Sequence, residues 1–138
     1  MENKKKFYID GKWVVPFKSN DFIVTNPSNE EPYVVISLGG SEDTNNAVKA
    51  AKDSFVTWKN TTKEERLTLL EKLLEIYNKR SEEMTVAIST ELGAPLDWAS
   101  STQMASGAWH IEDFIKRLKD FKFESDFDKG SDSFITYE

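Results

Sequence analysis

The chain has 138 residues and a formal net charge of -6, and its hydrophobic and charged fractions of 38% and 30% suit one folded domain and argue against a disordered chain. The negative charge argues against a general attraction to nucleic acid or to an anionic membrane. Because the sequence has no cysteine, it holds no disulfide, no thiolate metal site and no cysteine nucleophile.

The N-terminus carries charges but no apolar segment behind them. No apolar run approaches the roughly 18 residues of a membrane span. We therefore expect a soluble, cytoplasmic protein without membrane or nucleic-acid partners. The basic cluster Lys4-Lys5-Lys6 lies near the N-terminus, and we interpret it as a solvated end.

Short β-prone stretches come first in the chain. Asp10-Gly11 separates the first two and favours a type I′ turn, which predicts a hairpin. Asn26-Pro27-Ser28-Asn29 separates the last two and favours another turn. The four predicted strands are Phe7–Ile9, Lys12–Val15, Phe22–Thr25 and Pro32–Leu38.

Gly39 and Gly40 follow these strands, and Ser41 with Glu42 and Asp43 has the composition of an N-cap and an acidic first turn. Two glycines between a strand and a helix also occur in phosphate-binding turns, but neither the G-x-G-x-x-G nor the G-x-x-x-x-G-K-[ST] pattern is present. We interpret the pair as a tight turn in which glycine relieves a positive φ.

Four helices are predicted after this turn, at about 42 to 59, 63 to 80, 82 to 92 and 95 to 120. Thr62 and Glu65 form a capping-box pattern before the second helix, and Gly93 is a typical residue after the end of the third. The face of the first helix needs a packing partner. The apolar faces are, in order, Ala47, Ala51, Phe55 and Trp58; Leu67, Leu70, Leu74 and Tyr77; Met84, Ile88 and Leu92; and Trp98, Ala105, Ala108, Ile111, Ile115 and Leu118.

The chain becomes β-prone again after Asp120. Phe121, Phe123 and Phe127 alternate with charged or small residues, Asp128–Ser131 is turn-like, and Phe134–Tyr137 favours a strand. We predict an α+β fold with short N-terminal strands, four helices and a C-terminal hairpin. Because the last strand has no turn or tail of its own, we expect an incomplete structural unit.

No catalytic constellation is evident from the residues alone. His110 and Glu112 match the His-x-Glu part of a zinc deaminase site, but the Cys-x-x-Cys part is missing. We therefore interpret His110 as a surface or interface residue. A serine nucleophile motif of the form G-x-S-x-G is also absent.

The remaining conspicuous residues have structural interpretations. The acidic pairs Glu30-Glu31, Glu64-Glu65 and Glu82-Glu83 lie at turns or helix starts, where they complement the helix dipole and remain hydrated. We interpret Trp58, Trp98 and Trp109 as packing residues. The residues themselves thus predict no catalytic, cofactor-binding or metal-binding side chain.

Several segments resemble the aldehyde dehydrogenase superfamily. Tyr8–Val14 is similar to its opening hairpin, I-(N/D)-G-x-W, and Val24–Glu31 is similar to its V-x-N-P-(A/S)-T-x-E turn. Ser41–Ala51, followed by Phe55 and Trp58, resembles its D-V-x-x-A-V-x-A-A helix. The segments Glu65–Leu70 and Glu91–Leu96 resemble the family's x-x-R-x-x-x-L and E-x-G-(K/A)-P patterns.

The resemblance implies that residues 1–120 are an incomplete cofactor-binding domain and that Phe121 to Glu138 begin an oligomerisation arm. It also implies that the catalytic cysteine, the general-base glutamate and the oxyanion-binding asparagine lie outside this chain. In the complete enzyme a thiolate attacks the aldehyde, hydride passes to NAD or NADP, and water hydrolyses the thioester. We expect no cofactor to bind the chain alone.

Some relatives hold a monovalent cation through backbone oxygens near the positions of Val24 and Thr25, together with a carboxylate from the fourth helix. Gln103 is the nearest match to that carboxylate here, which departs from the pattern. Val24 and Thr25 are therefore the metal candidates that the resemblance offers.

Three hypotheses follow. The first is an N-terminal fragment of an NAD(P)-dependent aldehyde dehydrogenase that is inactive alone and whose partner is the rest of that chain or a second subunit, contacted through Phe121 to Glu138. The second is a stand-alone, non-catalytic interaction module that pairs its C-terminal strand with a partner. The third is an unrelated enzyme that uses His110.

Overall fold

Short strands lie mainly in the first part of the chain and helices form most of the remainder, which confirms the predicted α+β class. The computed structural model describes residues 2–126 and 134–136. The strands are β1 (Glu2–Lys4), β2 (Phe7–Ile9), β3 (Lys12–Val14), β4 (Asp21–Asn26), β5 (Glu31–Ser37), β6 (Glu124–Asp126) and β7 (Phe134–Thr136).

Four helices follow β5, as predicted. The first three are α1 (Ser41–Trp58), α2 (Lys63–Lys79) and α3 (Ser81–Leu92). The last helix, called α4 here, continues without a break through an α-helical start (Leu96–Trp98), a π-helical segment (Ala99–Met104) and a long α-helical part (Ala105–Asp120).

β5 is the central strand of a three-stranded sheet in the order β1-β5-β4. β4 is antiparallel to it, with Phe22 opposite Ile36, and β1 is parallel to it, with Asn3 opposite Val35. β5 thus has a neighbour on each side, and it contains Val34, which is only 2% exposed. This strand anchors the N-terminal half of the molecule.

β1 corrects the interpretation of Lys4-Lys5-Lys6 as a solvated end. Lys4 lies in β1 opposite Ile36, and Lys5 Nζ donates a hydrogen bond to Asp21 Oδ2 at 2.6 Å. This bond is the main reason that the pKa of Asp21 lies below its usual range. The sequence did not reveal the strand because backbone pairing at a sheet edge tolerates charged side chains.

The predicted hairpin forms between β2 and β3, with Tyr8 opposite Trp13. Asp10 and Gly11 have φ values of 54° and 73°. Positive φ at both central residues is the geometry of a type I′ turn. The Asp-Gly signal therefore gave both the position of the turn and its type.

The turn at Gly39 and Gly40 does not depend on a positive φ, so that interpretation was wrong. Gly40 is extended, with φ -100° and ψ -176°, and it, not Ser41, is the N-cap of α1. Asp43 Oδ2 accepts a hydrogen bond from Gly40 N at 2.9 Å, and Asp43 Oδ1 accepts one from Phe17 N at 2.8 Å. These two bonds hold the pKa of Asp43 below its usual range.

The two turn motifs at Asn26–Asn29 and Gly93 pack against each other. Asn26 Oδ1 accepts a hydrogen bond from Ser28 N at 2.9 Å, which shapes the first turn. Gly93 has φ 75°, and a Cβ at this position would lie 2.9 Å from Pro27 Cγ. Glycine is therefore required at position 93 both for its backbone conformation and for the close approach of Pro27.

The capping box predicted before α2 is present. Thr62 Oγ1 accepts a hydrogen bond from Glu65 N at 3.2 Å, and Glu65 Oε2 accepts one from Thr62 N at 2.7 Å. The predicted stripe also faces inward, since its members are less exposed than their neighbours: Leu67, Leu70, Leu74 and Tyr77. Tyr77 Oη donates to Met104 O at 2.9 Å, which ties α2 to the π-helical segment.

The buried faces of α3 and α4 differ from the prediction. On α3 the buried residue is Thr85, whereas Met84 and Leu92 are exposed. On α4 Trp98 is exposed, while Ala99, Ala108 and Ile115 are buried. The π-helical segment explains the second difference, because its wider turn shifts the phase of residues before it by about 100° relative to those after it.

Within the described residues, no helix is long and apolar enough to cross a membrane.

Candidate functional site

The structure does not gather the chemically distinctive residues into a catalytic site. His110 and Glu112 are both exposed on α4. Across residues 2–126 and 134–136, no group of three or more His, Cys, Asp or Glu side chains could hold a metal ion. The arrangement gives no support to the hypothesis of an enzyme that uses His110.

The cation candidates Val24 and Thr25 lie on β4 at an irregularity in the sheet. Val24 is opposite Val34 and Thr25 is opposite Pro32, so Tyr33 is the extra residue of a bulge. Gln103 lies in the π-helical segment, and its buried Oε1 accepts no hydrogen bond within the described part of the chain.

The backbone candidates on β4 and the side chain of Gln103 lie on two elements that both contact α3. β4 contacts β5 and α3, and the π-helical segment contacts α3 and the rest of α4. The oxygen of Gln103 is neutral, unlike the carboxylate that the resemblance leads us to expect. The departure from the expected carboxylate at Gln103 therefore remains, and Val24 and Thr25 stay backbone candidates for a cation.

The side chain of Arg66 links two helices and the segment that follows α4. The guanidinium carbon of Arg66 lies 5.8 Å from the ring centroid of Trp58 and 5.8 Å from that of Phe123. Its Nε donates to Thr61 Oγ1 at 2.9 Å and its Nη2 donates to Lys59 O at 3.2 Å. Arg66 thus holds together the end of α1, the start of α2 and the segment that leads into β6.

Beside this arginine an apolar groove runs between α2 and α4, with a volume of about 620 Å³. Its walls are nearly all hydrocarbon, and arginines provide the charged groups at its edge. The lining residues are Trp58, Arg66, Leu69, Leu70, Leu73, Phe114, Arg117, Leu118, Phe121 and Phe123. Within the described residues this groove is the feature best suited to bind another apolar element.

The groove exists because α2 has a second apolar stripe that the sequence analysis missed. Leu69, Leu73 and Ile76 are 53%, 49% and 43% exposed. They recur at spacings of four and three residues, which places them on one face, beside the inward face of Leu70 and Leu74. The spacing was visible in the sequence, but only one stripe was assigned to this helix.

α1 is the helix with the least support from the rest of the structure. Among the described elements its backbone lies close only to β2, and Trp58 at its end also contacts the Arg66 side chain of α2. Phe55, on its predicted apolar face, is 57% exposed, and Trp58 on the same face is also exposed at the groove. The partner that this face requires is therefore not supplied by the described residues.

The solvent-accessible surface of the chain is large for its mass. It measures 10887 Å² for a chain of 15.8 kDa. A compact monomer of this mass exposes about 7,300 Å². The surface is about half as large again as that of a closed domain, and much of the exposed part is apolar.

The predicted C-terminal hairpin forms between β6 and β7, with Ser125 opposite Ile135. Among the described elements, each of these strands contacts only the other. The predictions for Phe127, for the turn at Asp128–Ser131, and for Tyr137 and Glu138 fall outside the described residues.

Comparison with known proteins gives a consistent result. Residues 13–138 match the model of the aldehyde dehydrogenase family. The chain is 38% identical over 125 residues to a 3-succinoylsemialdehyde-pyridine dehydrogenase from a Pseudomonas species, a match that covers 90% of this chain and 26% of the relative. The chain thus spans about a quarter of the length of this curated relative.

Solved structures also match most of this chain but only about a quarter of their own length. An aldehyde dehydrogenase from Bartonella henselae matches with a TM-score of 0.93 and 48% identity, over 96% of this chain and 28% of that one. Aldehyde dehydrogenase C from Pseudomonas syringae, solved as a mutant with NAD+ and octanal, matches with a TM-score of 0.86 and 33% identity, over 88% of this chain and 25% of that one.

Proposed function

Because the chain belongs to the aldehyde dehydrogenase family, we propose that it forms the N-terminal part of an enzyme that oxidises an aldehyde to a carboxylic acid with NAD or NADP. The proposal rests on two observations. Residues 13–138 match the family model, and the whole chain corresponds to only about a quarter of the length of its relatives. The reaction belongs to the complete enzyme.

We further propose that the 138 residues do not catalyse this reaction by themselves. The family resemblance assigns the first step to a cysteine thiolate, and the sequence contains no cysteine. We assign no catalytic or cofactor-binding residue to the chain, and Val24 and Thr25 remain the backbone cation candidates. The nicotinamide cofactor would accept the hydride in the part of the enzyme that these residues do not include.

Residues 1–120 are assigned to the cofactor-binding domain and residues 121–138 to the start of the oligomerisation arm. The pairing of β6 with β7, and their lack of contact with other described elements, support an arm that extends from the body. We also propose a cytoplasmic location, which cell fractionation would check.

A chimera tests the proposal. The matching segment of the 38% identical Pseudomonas relative is replaced by this chain, and aldehyde-dependent formation of NADH or NADPH is measured. The chimera should be active, whereas the chain alone, with a mass of 15.8 kDa, should be inactive. The same chimera with the relative's catalytic cysteine replaced by serine is the control for background reduction.

Activity of the purified chain alone would overturn the proposal. An inactive chimera that is soluble and folded would also count against it, because the segment would then not serve as the front part of a dehydrogenase.

A non-catalytic interaction module is the second candidate, and the β6–β7 hairpin favours it. A two-stranded sheet has unpaired backbone groups on both outer edges, which can pair with a strand of another chain. Capture of a full-length dehydrogenase by the chain, lost on deletion of residues 121–138, would support this role. Equal capture without those residues would exclude the hairpin as the contact.

A further inference from the structure

We propose that a basic and aromatic pocket between the end of β1 and β3 binds a phosphorylated aromatic compound, with its ring on the indole of Trp13 and its phosphate at the neighbouring lysines. The pocket has a volume of about 660 Å³, and its lining residues are Lys4, Lys5, Lys6, Trp13 and Val15. This inference goes beyond the proposed function, because it assigns a ligand to residues of this chain and not to the complete enzyme.

The first support is the exposed face of the β2–β3 hairpin. Successive side chains of a strand point to opposite faces, and Phe7 and Val14 are on the partly buried face. On the other face, Tyr8, Trp13 and Val15 are 63%, 66% and 71% exposed. The rings of Tyr8 and Trp13 pack edge to face with their centroids 5.4 Å apart. This contact orients the indole and leaves it accessible to a flat ligand.

The second support is the position of the lysines, which belong to an ordered part of the chain. Lys4 is the last residue of β1 and lies opposite Ile36, and Lys5 Nζ donates a hydrogen bond to Asp21 Oδ2 at 2.6 Å. Lys6 forms no ion pair with any residue that the structure describes. None of the described side chains that line the pocket is acidic. The pocket is therefore locally basic on a chain whose net charge is -6.

These groups together indicate the chemical class of the ligand. Asp21 already balances the charge of Lys5, so an anion that enters the pocket gains most from Lys6. A phosphate monoester carries a charge of about -1.5 to -2 at pH 7, and its three oxygens can accept from more than one ammonium group. An indole face binds flat rings by stacking. A pocket of this volume falls in the range of roughly 300 to 1,000 Å³ that is typical of small-molecule sites.

The indole N–H signals in the NMR spectrum of the chain test the proposal. The sequence has four tryptophans, and the Trp13→Phe variant identifies the signal of Trp13. Phenyl phosphate at pH 7 should shift this signal saturably and leave the other three unchanged. Inorganic phosphate and phenol, which each offer half of the ligand, should bind severalfold more weakly. The proposal is overturned if phenyl phosphate does not shift the Trp13 signal, or if either half binds as tightly as the whole.

Lys6→Gln and Lys12→Gln form a matched pair for this titration. Both remove one positive charge near the hairpin and both positions are exposed, but Lys12 does not line the pocket and pairs with Asp10 at 3.8 Å. Lys6→Gln should raise the Kd for phenyl phosphate severalfold, whereas Lys12→Gln should change it little. Equal weakening by both variants would show only a general attraction between charges and would overturn the proposal.

Lys6→Arg separates a binding role from a structural one. It keeps the positive charge and should retain most of the affinity that Lys6→Gln loses. Circular dichroism should be the same for all three variants. If Lys6→Arg binds as weakly as Lys6→Gln while both are folded, the charge at this position does not hold the phosphate and the proposal fails.

The same titration distinguishes two sources of such a ligand. AMP joins its phosphate to a nucleoside with a two-ring base, whereas free phosphotyrosine has a single ring. Tighter binding of AMP would assign the site to a nucleotide, and tighter binding of phosphotyrosine would assign it to a phosphorylated phenol. If neither compound shifts the Trp13 signal, the proposal is overturned.

These readouts do not depend on aldehyde oxidation. Binding of phenyl phosphate by the chain, together with an inactive chimera, would contradict only the proposed function. An active chimera, together with a chain that does not bind phenyl phosphate, would contradict only the site proposed at Trp13 and Lys6.

Discussion

The two sides of α4 differ in how far their side chains are buried. Ile115 is 7% exposed and packs toward the body of the molecule, whereas Phe114, the preceding residue, is 59% exposed at the groove. On the closed side, β5, α3 and α4 bury Val34, Thr85 and Ala108. On the open side, the described residues leave Phe55 of α1 and the second stripe of α2 exposed. The chain therefore combines an internally packed half with a half whose described apolar side chains remain exposed.

The largest expected difference is between alanine substitutions at these two neighbouring positions. Ile115→Ala should lower the free energy of unfolding of the chain by about 3 kcal/mol, because it leaves a cavity in a packed region. Phe114→Ala should change it by less than about 0.5 kcal/mol, because little packing is lost. Urea denaturation followed by circular dichroism measures both.

If the remaining part of the enzyme covers this groove in the chimera, Phe114→Ala should become strongly destabilising there. If Phe114→Ala were as costly as Ile115→Ala in the chain alone, the groove would already be covered and the contrast between the two sides would disappear.

Gly93→Ala should be the next most destabilising change, by about 1 to 2 kcal/mol. Alanine is strained at the positive φ of this residue, and its Cβ would press on Pro27 in the closed half. Gly40→Ala is the matched control, because Gly40 is extended and a Cβ there meets Asp43 Oδ2 at an ordinary 3.8 Å. Thermal unfolding of both variants is compared. An equal loss of stability for Gly40→Ala would show that the requirement for glycine is not specific to position 93.

Thr62→Ala should cost about 1 kcal/mol, because the N-cap oxygen of α2 is lost. Ser41→Ala should have little effect, since Gly40 is the N-cap of α1 and no side-chain cap bond is formed there. The two variants are compared by urea denaturation. A larger loss for Ser41→Ala would restore the N-cap role that the sequence suggested for Ser41.

The smallest expected effect concerns pH. Backbone N–H donors at Gly40 and Phe17 lower the pKa of Asp43, so its carboxylate stabilises the native chain above the ordinary carboxyl pKa of about 4. This contribution is lost as the pH falls from that value through the lower pKa of the native state.

Asp43→Asn should therefore lower Tm at pH 7 and reduce the fall in Tm on acidification from about pH 5 to about pH 3. Asp120→Asn, which removes the same charge from an exposed position, is the control. An unchanged acid profile for Asp43→Asn would show that this carboxylate does not fix the turn.

Local signals predicted much of the closed half. The Asp10-Gly11 turn, the capping box at Thr62 and the end of α3 at Gly93 are all set by interactions within a few residues, and each was identified correctly. β1 was missed because its pairing with β5 depends on residues about thirty positions away. The exposed position of Trp98 was missed because the π-helical segment changes the helical phase, which the α-helical period does not represent.

For the candidate site, the sequence predicted that the face of α1 needs a partner but not where that partner lies. The groove forms where side chains of α1, α2 and α4 meet, and no periodicity within one helix gives their relative positions. The spacing of Leu69, Leu73 and Ile76 is present in the sequence, so a search for two apolar faces on one helix would have predicted the second stripe.

Amide hydrogen exchange of the chain alone and of the chimera, measured in parallel, tests the account most directly. In the chain alone, α1 should exchange much faster than β5 and the long part of α4, because the backbone of α1 lies close only to β2 among the described elements. In the chimera, exchange in α1 and α2 should slow markedly while β5 changes little. Equal protection of α1 in the two proteins would contradict the division into a closed half and an open half.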